Sequence, residues 1–191
     1  DVWSFKSMYE NPNLEGQRPM PDSIVTIASV FKSQGYKTGM IGKWGLGAPN
    51  TNSIPNKKGF DFFYGYNCQR QAHNLYPSHL WRNDERHLLN NTIVNKGKLD
   101  DGLDPNDENS YNIYHQNDYA PELMHLEAMQ FLDRYKDQKF FLYYASPLPH
   151  LPLQAPKNWV DYYRDKLGPE DPYLGDKGYY PNLTPKATYA A

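Results

Sequence analysis

The chain has 191 residues, with 20 Lys and Arg set against 22 Asp and Glu. A formal net charge of -2 supplies no basic stripe for a phosphate backbone and argues against a nucleic-acid partner, and runs such as Phe140 to Ala145 fall far short of the ~20 apolar residues of a membrane span. The single cysteine, Cys68, excludes an internal disulfide framework and a multi-cysteine zinc site, and leaves the compartment open.

Asp1 to Met20 shows no sustained period and contains Asn11-Pro12-Asn13 and Arg18-Pro19-Met20-Pro21, so it reads as irregular. After Pro21, Asp22 or Ser23 is the expected cap of a helix with Ile24, Ile27, Ala28 and Phe31 on one face and Gly35 as its stop. Tyr36 to Ile41 reads as a short strand leading into the glycine-rich segment Gly42 to Lys58. From Gly59 to Ser110 the aromatic runs, scattered Asn and turn-rich Lys98 to Asn106 read as a long excursion on a scaffold rather than as core. The 17 Tyr and 16 Pro of the chain fit such polar-aromatic loops.

A second helix follows, with Ala120, Leu123, Met124, Ala128, Phe131, Leu132 and Tyr135 on one face, Asp118 as the expected cap and basic residues near its end. Phe140 to Ala145 is then a nearly continuous apolar strand, expected to be covered on both faces, that breaks at Ser146 to Pro152. Gly168 to Pro185 is loop-like, and Lys186 to Ala191 reads as the first turns of a helix. Two helix-then-strand units predict an α/β layer whose loops leave the carboxyl ends of parallel strands, the edge at which open sheets bind ligands.

Two residues stand at those loops. Lys43, in Gly42-Lys43-Trp44-Gly45-Leu46-Gly47, follows a strand where glycines admit a ligand to the backbone and Trp44 could fix the lysine stem, so it suits an anion; on spacing alone, a solvated lysine in a turn is the favoured reading. His150, in Pro149-His150-Leu151-Pro152, has a near-neutral titrating imidazole between prolines and suits proton donation to a leaving oxygen, or a carbonyl-bonded loop histidine. Asn67 to Asn74 joins amides, Arg70 and His73 to the flanking Tyr64, Tyr66, Tyr76 and Trp81, the groups of a sugar cleft or of a polar loop over packed aromatics. Cys68 reads as a small buried filler. His79, His87, His115 and His125, with Asp100, Asp101 and Asp104, show no metal-ligand spacing and read as solvated.

The segment Gly35-Tyr36-Lys37-Thr38-Gly39-Met40-Ile41-Gly42-Lys43-Trp44 resembles the second signature of the sulfatase family, the arylsulfatase-type branch of the alkaline phosphatase superfamily. Supporting matches run in order: Pro21-Asp22-Ser23 before it, Lys58 to Gly65 after it, Phe140 to Tyr143 leading to Pro149-His150, and Leu153-Gln154-Ala155-Pro156. Gly65 to Asn74 is similar to a form found in bacterial polysaccharide-degrading sulfatases. The resemblance covers roughly Pro21 to the C-terminus, with least support between Asn83 and Asn117.

This resemblance implies part of an alkaline-phosphatase-like α/β/α sandwich with a long loop-rich excursion. It also implies hydrolysis of a sulfate ester by a formylglycine, made from a C/S-x-P/A-x-R motif, together with calcium. Lys43 then matches the lysine that contacts the sulfate, and His150 the histidine near the leaving-group oxygen. Arg70, His73 and Asn74 are the expected contacts to a sulfated carbohydrate or other small sulfate ester.

Two departures follow. Gly45 occupies the place of a family histidine, and no C/S-x-P/A-x-R occurs, Cys68 being followed by Gln69-Arg70-Gln71-Ala72. The family's paired N-terminal aspartates, Asp-Asn-Gly metal motif and downstream lysine are absent as well. The expectation is therefore residues 1–191 as an internal portion of one sulfatase catalytic domain, inactive by itself, with calcium and formylglycine not fully liganded by this chain. The family points to a periplasmic or secreted protein. The alternatives are a phosphodiesterase or phosphonate hydrolase of the same superfamily, or a non-catalytic glycan-binding module.

Overall fold

In the computed structural model, which describes residues 15–94, 97–177 and 179–191, the first helix starts after Thr26 rather than at Asp22 or Ser23. The Thr26 hydroxyl accepts from the Ser29 N–H at 3.1 Å and the Ser29 hydroxyl accepts from the Thr26 N–H at 3.1 Å, a reciprocal capping box. Asp22 instead faces Asn52 and Lys58, so α1 (Ile27–Ser33) leaves Ile24 outside it and exposed. Of the expected apolar face only Ala28 is fully buried, and Gly35, at φ +80°, ends the turn. Most of Asp1 to Met20 lies outside the described residues; Glu15 to Met20 form neither helix nor extended strand.

Two units make up the chain. The first comprises residues up to Ala72, His79–Leu89 and Ala120–Pro147. It holds a sheet of β1 (Lys37–Lys43), β2 (Phe62–Tyr66), β3 (His79–Arg82), β4 (Glu85–Leu88) and β5 (Phe140–Ala145) in the order β4-β3-β2-β1-β5. β1 is parallel to both β2 and β5, while β2, β3 and β4 form an antiparallel meander. Met40 packs with Ala28, Phe60 and Phe63 on one face; Ile41 packs with Tyr64, Met124 and Ala128 of α2 (Ala120–Tyr135) on the other. Helices thus cover both faces of the central strand, and burying Met40 and Ile41 completely contributes about 2 kcal/mol each.

Three expectations change in this unit. Gly59 to Ser110 is not only an excursion, because it supplies β2, β3 and β4, and Phe63, Tyr64 and Tyr66 are core. β5 is not covered on both faces: among the described residues it lies at the sheet edge, with Tyr143 and Tyr144 exposed. His79 is buried rather than solvated, because its Nε2 meets the Glu15 carboxylate, which also accepts from the Trp81 indole at 2.5 Å.

The second unit comprises His73–Ser78, Asn90–Tyr119 and Leu148–Ala191. Asp118 does not cap α2; its carboxylate accepts from the Asn90 N–H at 2.6 Å. Ala155 with Val160 of α3 (Lys157–Leu167) and Ala187 of α4 (Pro185–Ala190) forms a small core. Glu108 binds Lys157 at 2.6 Å and Arg164 at 3.4 Å, and Lys157 chiefly holds its carboxyl below the ordinary value. No helix among the described residues is long and apolar enough to cross a membrane.

Candidate active site

β1 and β2 end in register at Lys43 and Tyr66. Pairing continues past the strands, with Trp44 N–H donating to the Tyr66 carbonyl at 2.9 Å and Gly45 N–H to the Asn67 carbonyl at 3.1 Å. Strand alternation puts half-buried Lys43 on the face of Gly39 and Ile41 and turns Trp44 to the other. There Trp44 is buried with Met40 and Phe60, and its indole N–H donates to the Ser53 carbonyl at 2.7 Å. The tryptophan therefore anchors the following loop, not the lysine stem.

Gly45 has φ +72°, and a Cβ on it would lie 2.9 Å from Gln17 Oε1 and 3.3 Å from Gln69 Cβ. Gln17 is buried and accepts from the Gln69 N–H at 2.7 Å, so this amide clamp fills the space that a histidine at position 45 would need. Close by in sequence, Asn67 is buried and, among the described residues, neither of its side-chain polar atoms has a hydrogen-bond partner, nor does Gln71 Oε1. Each such group costs about 1–3 kcal/mol.

Cys68 is buried, with Sγ 3.8 Å from the Gly16 carbonyl, and burial raises its thiol pKa. A buried thiol in this sequence context does not fit a formylglycine precursor. Among the described residues no three His, Cys, Asp or Glu side chains converge as a metal site, so these residues do not fit calcium by themselves.

In the second unit, exposed His150 lies between the cis peptides Leu148-Pro149 and Leu151-Pro152. Its Nδ1 is 2.6 Å from the Leu151 carbonyl oxygen. A carbonyl can only accept, so Nδ1 carries the proton and Nε2 is the nitrogen left for a ligand: an acceptor in the neutral ring, a donor in the cation. His73 stacks on this ring with centroids 4.7 Å apart and planes at 14°. His150 also lines a cavity of about 240 Å³ with Tyr119, Gln154, Thr188 and Tyr189.

Gln154 ties the segments of this unit together, because its Oε1 accepts from the Leu75 N–H at 2.8 Å and its carbonyl accepts from the Tyr119 hydroxyl at 3.0 Å. Asn74 Oδ1 accepts from the Tyr76 N–H at 3.0 Å, fixing the turn after His73. Of the expected site residues, the structure brings His73 and His150 together; Asn74 shares their unit, whereas Lys43 and half-buried Arg70 belong to the first. The Gln17 clamp has no sequence signal, whereas Gln154 lies in Leu153-Gln154-Ala155-Pro156, part of the family resemblance.

The sulfatase family pattern matches residues 4–174. The chain belongs to the sulfatase family. An uncharacterized sulfatase of Schizosaccharomyces pombe is 30% identical over 172 residues, covering 88% of this chain and 28% of that protein. Arylsulfatase J of Mus musculus is 30% identical over 146 residues, covering 76% of this chain and 22% of that protein. The chain thus spans under a third of the length of either sulfatase. Among solved structures, Ps i-CgsB in complex with k-i-k-neocarrahexaose superposes with a TM-score of 0.58 at 22% identity, over 91% of this chain and 34% of that one. BT4656 in complex with its substrate D-glucosamine-2-N,6-O-disulfate does so with a TM-score of 0.50 at 19% identity, over 80% of this chain and 24% of that one. At such identities the likeness is one of fold: the five-stranded sheet and flanking helices are part of a sulfatase fold.

Proposed function

We propose that these residues form an internal portion of the catalytic domain of a sulfuric ester hydrolase acting on a sulfated carbohydrate. In this reading the nucleophile and the calcium ligands come from sequence outside the 191 residues, and this chain alone does not turn over substrate. The observation that carries it is the family match over residues 4–174, within which Lys43 ends the central parallel strand, where α/β sheets receive ligands. The carbohydrate class is supported by the sugar ligands of Ps i-CgsB and BT4656.

Hydrolysis breaks the sulfur–oxygen bond of the ester; water supplies the oxygen that ends on sulfur, and the ester oxygen leaves as an alcohol after gaining a proton. Lys43 Nζ offsets charge on the sulfate oxygens. His150, as the cation, offers Nε2–H to the leaving oxygen while Nδ1–H stays on the Leu151 carbonyl. Arg70, His73 and Asn74 serve the sugar side.

The test is sulfate release from a sulfated oligosaccharide by the longer protein, its Lys43→Ala and His150→Ala variants, and the 191-residue chain. The longer protein turns over, each variant loses roughly 10²-fold or more in kcat, and the short chain is silent. Preferential turnover of a phosphodiester by the longer protein would replace sulfate with phosphate as the substrate class. Calcium-dependent turnover by the short chain would sink the claim that it is inactive.

A further inference from the structure

We propose that His73 is a positioning residue for His150: its ring holds the His150 imidazole in the orientation that commits Nδ1–H to the Leu151 carbonyl and offers Nε2 to the ligand. The assignment rests on the reading of His150 as the group that meets the leaving oxygen, and it gives His73 a role beyond sugar contact.

His150 is exposed, and one hydrogen bond to a neighbouring carbonyl does not fix a ring. Rotation about χ2 by half a turn would exchange the two edges of the imidazole and lose that bond, and terminal torsions of this kind are soft. The second constraint is the His73 face, nearly parallel at 14° and 4.7 Å from ring to ring, which restricts tilting out of the stacking plane. With His73 on one face and Leu151 at one edge, swinging the ring out of its plane loses both contacts at once; within the plane that His73 holds, the Leu151 bond selects which edge faces inward.

His73 is itself held. It closes the 3₁₀ turn Gln71–His73 and is half-buried. The next residues are tied down by Asn74 Oδ1 accepting from Tyr76 N–H and by Leu75 N–H donating to Gln154 Oε1, the latter in the segment that follows His150. The same side chain that secures the His73 turn thus belongs to the stretch carrying His150, which keeps the two rings in register.

The chemical consequence lies in the tautomer. A neutral imidazole in water favours the Nε2–H form, which presents a donor outward; the Leu151 bond selects the opposite form, with a lone pair at Nε2. Protonation then adds its hydrogen at Nε2, on the edge that faces the ligand, and not at the edge facing Leu151.

The experiment reads the imidazole nitrogens directly, by long-range ¹H–¹⁵N correlation of the 191-residue chain at alkaline pH. Wild type shows His150 with protonated Nδ1 and bare Nε2. His73→Phe, which keeps a flat face, retains that pattern; His73→Leu, which fills space without one, and His73→Ala move His150 toward the Nε2–H pattern. The wild-type pattern persisting in the Leu variant, or its loss in the Phe variant, would overturn the assignment. This readout needs no turnover, so it fails separately from the sulfatase reading, which falls if His150→Ala leaves sulfate release by the longer protein intact. In that longer protein His73→Leu lowers kcat and raises KM, and His73→Phe recovers most of the kcat loss while KM, to which the sugar contact contributes, stays raised.

Discussion

Asp61 and Thr38 bind each other reciprocally where β1 and β2 begin: the Thr38 N–H and hydroxyl donate to Asp61 Oδ2 at 3.0 and 3.1 Å, and the Asp61 N–H lies 3.0 Å from Thr38 Oγ1 and 2.9 Å from the Thr38 carbonyl oxygen. Lys32 of α1 adds its ammonium 2.7 Å from the same carboxylate. Burial pulls the Asp61 pKa up, but Lys32 and Thr38 outweigh it and hold it below its ordinary value. A depressed carboxylate contributes stability that is full above its unfolded value, near pH 3.9, and lost as pH falls through the folded value. Asp61→Asn is therefore expected to cost about 1 kcal/mol in urea unfolding at pH 7, discounted for partial exposure, with the gap to wild type closing below about pH 4. A gap constant down to pH 2 would contradict the charge-based account.

Gly42 stands between two strands that leave it no room. At φ +116°, a Cβ would lie 2.0 Å from the Ala145 carbonyl oxygen, and Gly65 approaches from the other side. Gly42→Ala is expected to lose roughly 3 kcal/mol or more, since both backbone strain and a backbone clash must be relieved. Gly35→Ala is the control: it shares a positive φ but has nothing within 4 Å, so it should cost only about 1 kcal/mol.

Restoring the family histidine by Gly45→His is expected to destabilise the chain by about 2 kcal/mol, because φ is +72° and Gln17 occupies the space. Adding Gln17→Ala removes the collision and should return part of that loss. Denaturant midpoints for both single variants and the double variant measure the coupling, and strict additivity would exclude Gln17 as the obstacle.

Asn67 buries an amide without partners among the described residues. Asn67→Leu, similar in volume and apolar, should raise stability by about 1 kcal/mol, visible as a higher Tm for the 191-residue chain. A loss of the same size would reveal a hydrogen-bonding partner for that amide.

The helices were readable where apolar residues recur on one stripe, as Ala120, Met124, Ala128 and Phe131 do, each buried in α2. β2 escaped because Phe62-Phe63-Tyr64-Gly65-Tyr66 is buried on both faces: it has no alternation, and its tyrosines resemble those of loops. His79 gave no warning of burial, because what desolvates it safely is Glu15, far upstream. At the site, the family resemblance marked Lys43, His150 and His73 as positions, but not the stacking of His73 on His150 or the Gln17 amide beside Gly45. Those are contacts between segments distant in sequence, and no local period encodes them.

β5 pairs with β1 and, among the described residues, with no other strand. Its sequence, Phe140-Phe141-Leu142-Tyr143-Tyr144-Ala145, contains no charge and no proline, the usual guards of a free strand margin. A row of backbone donors and acceptors left open among the described residues, flanked by exposed Tyr143 and Tyr144, makes this margin a nucleus for intermolecular strand addition. Self-association of the 191-residue chain should accordingly rise with concentration, and Tyr143→Lys should raise its solubility limit more than a lysine placed on any helix.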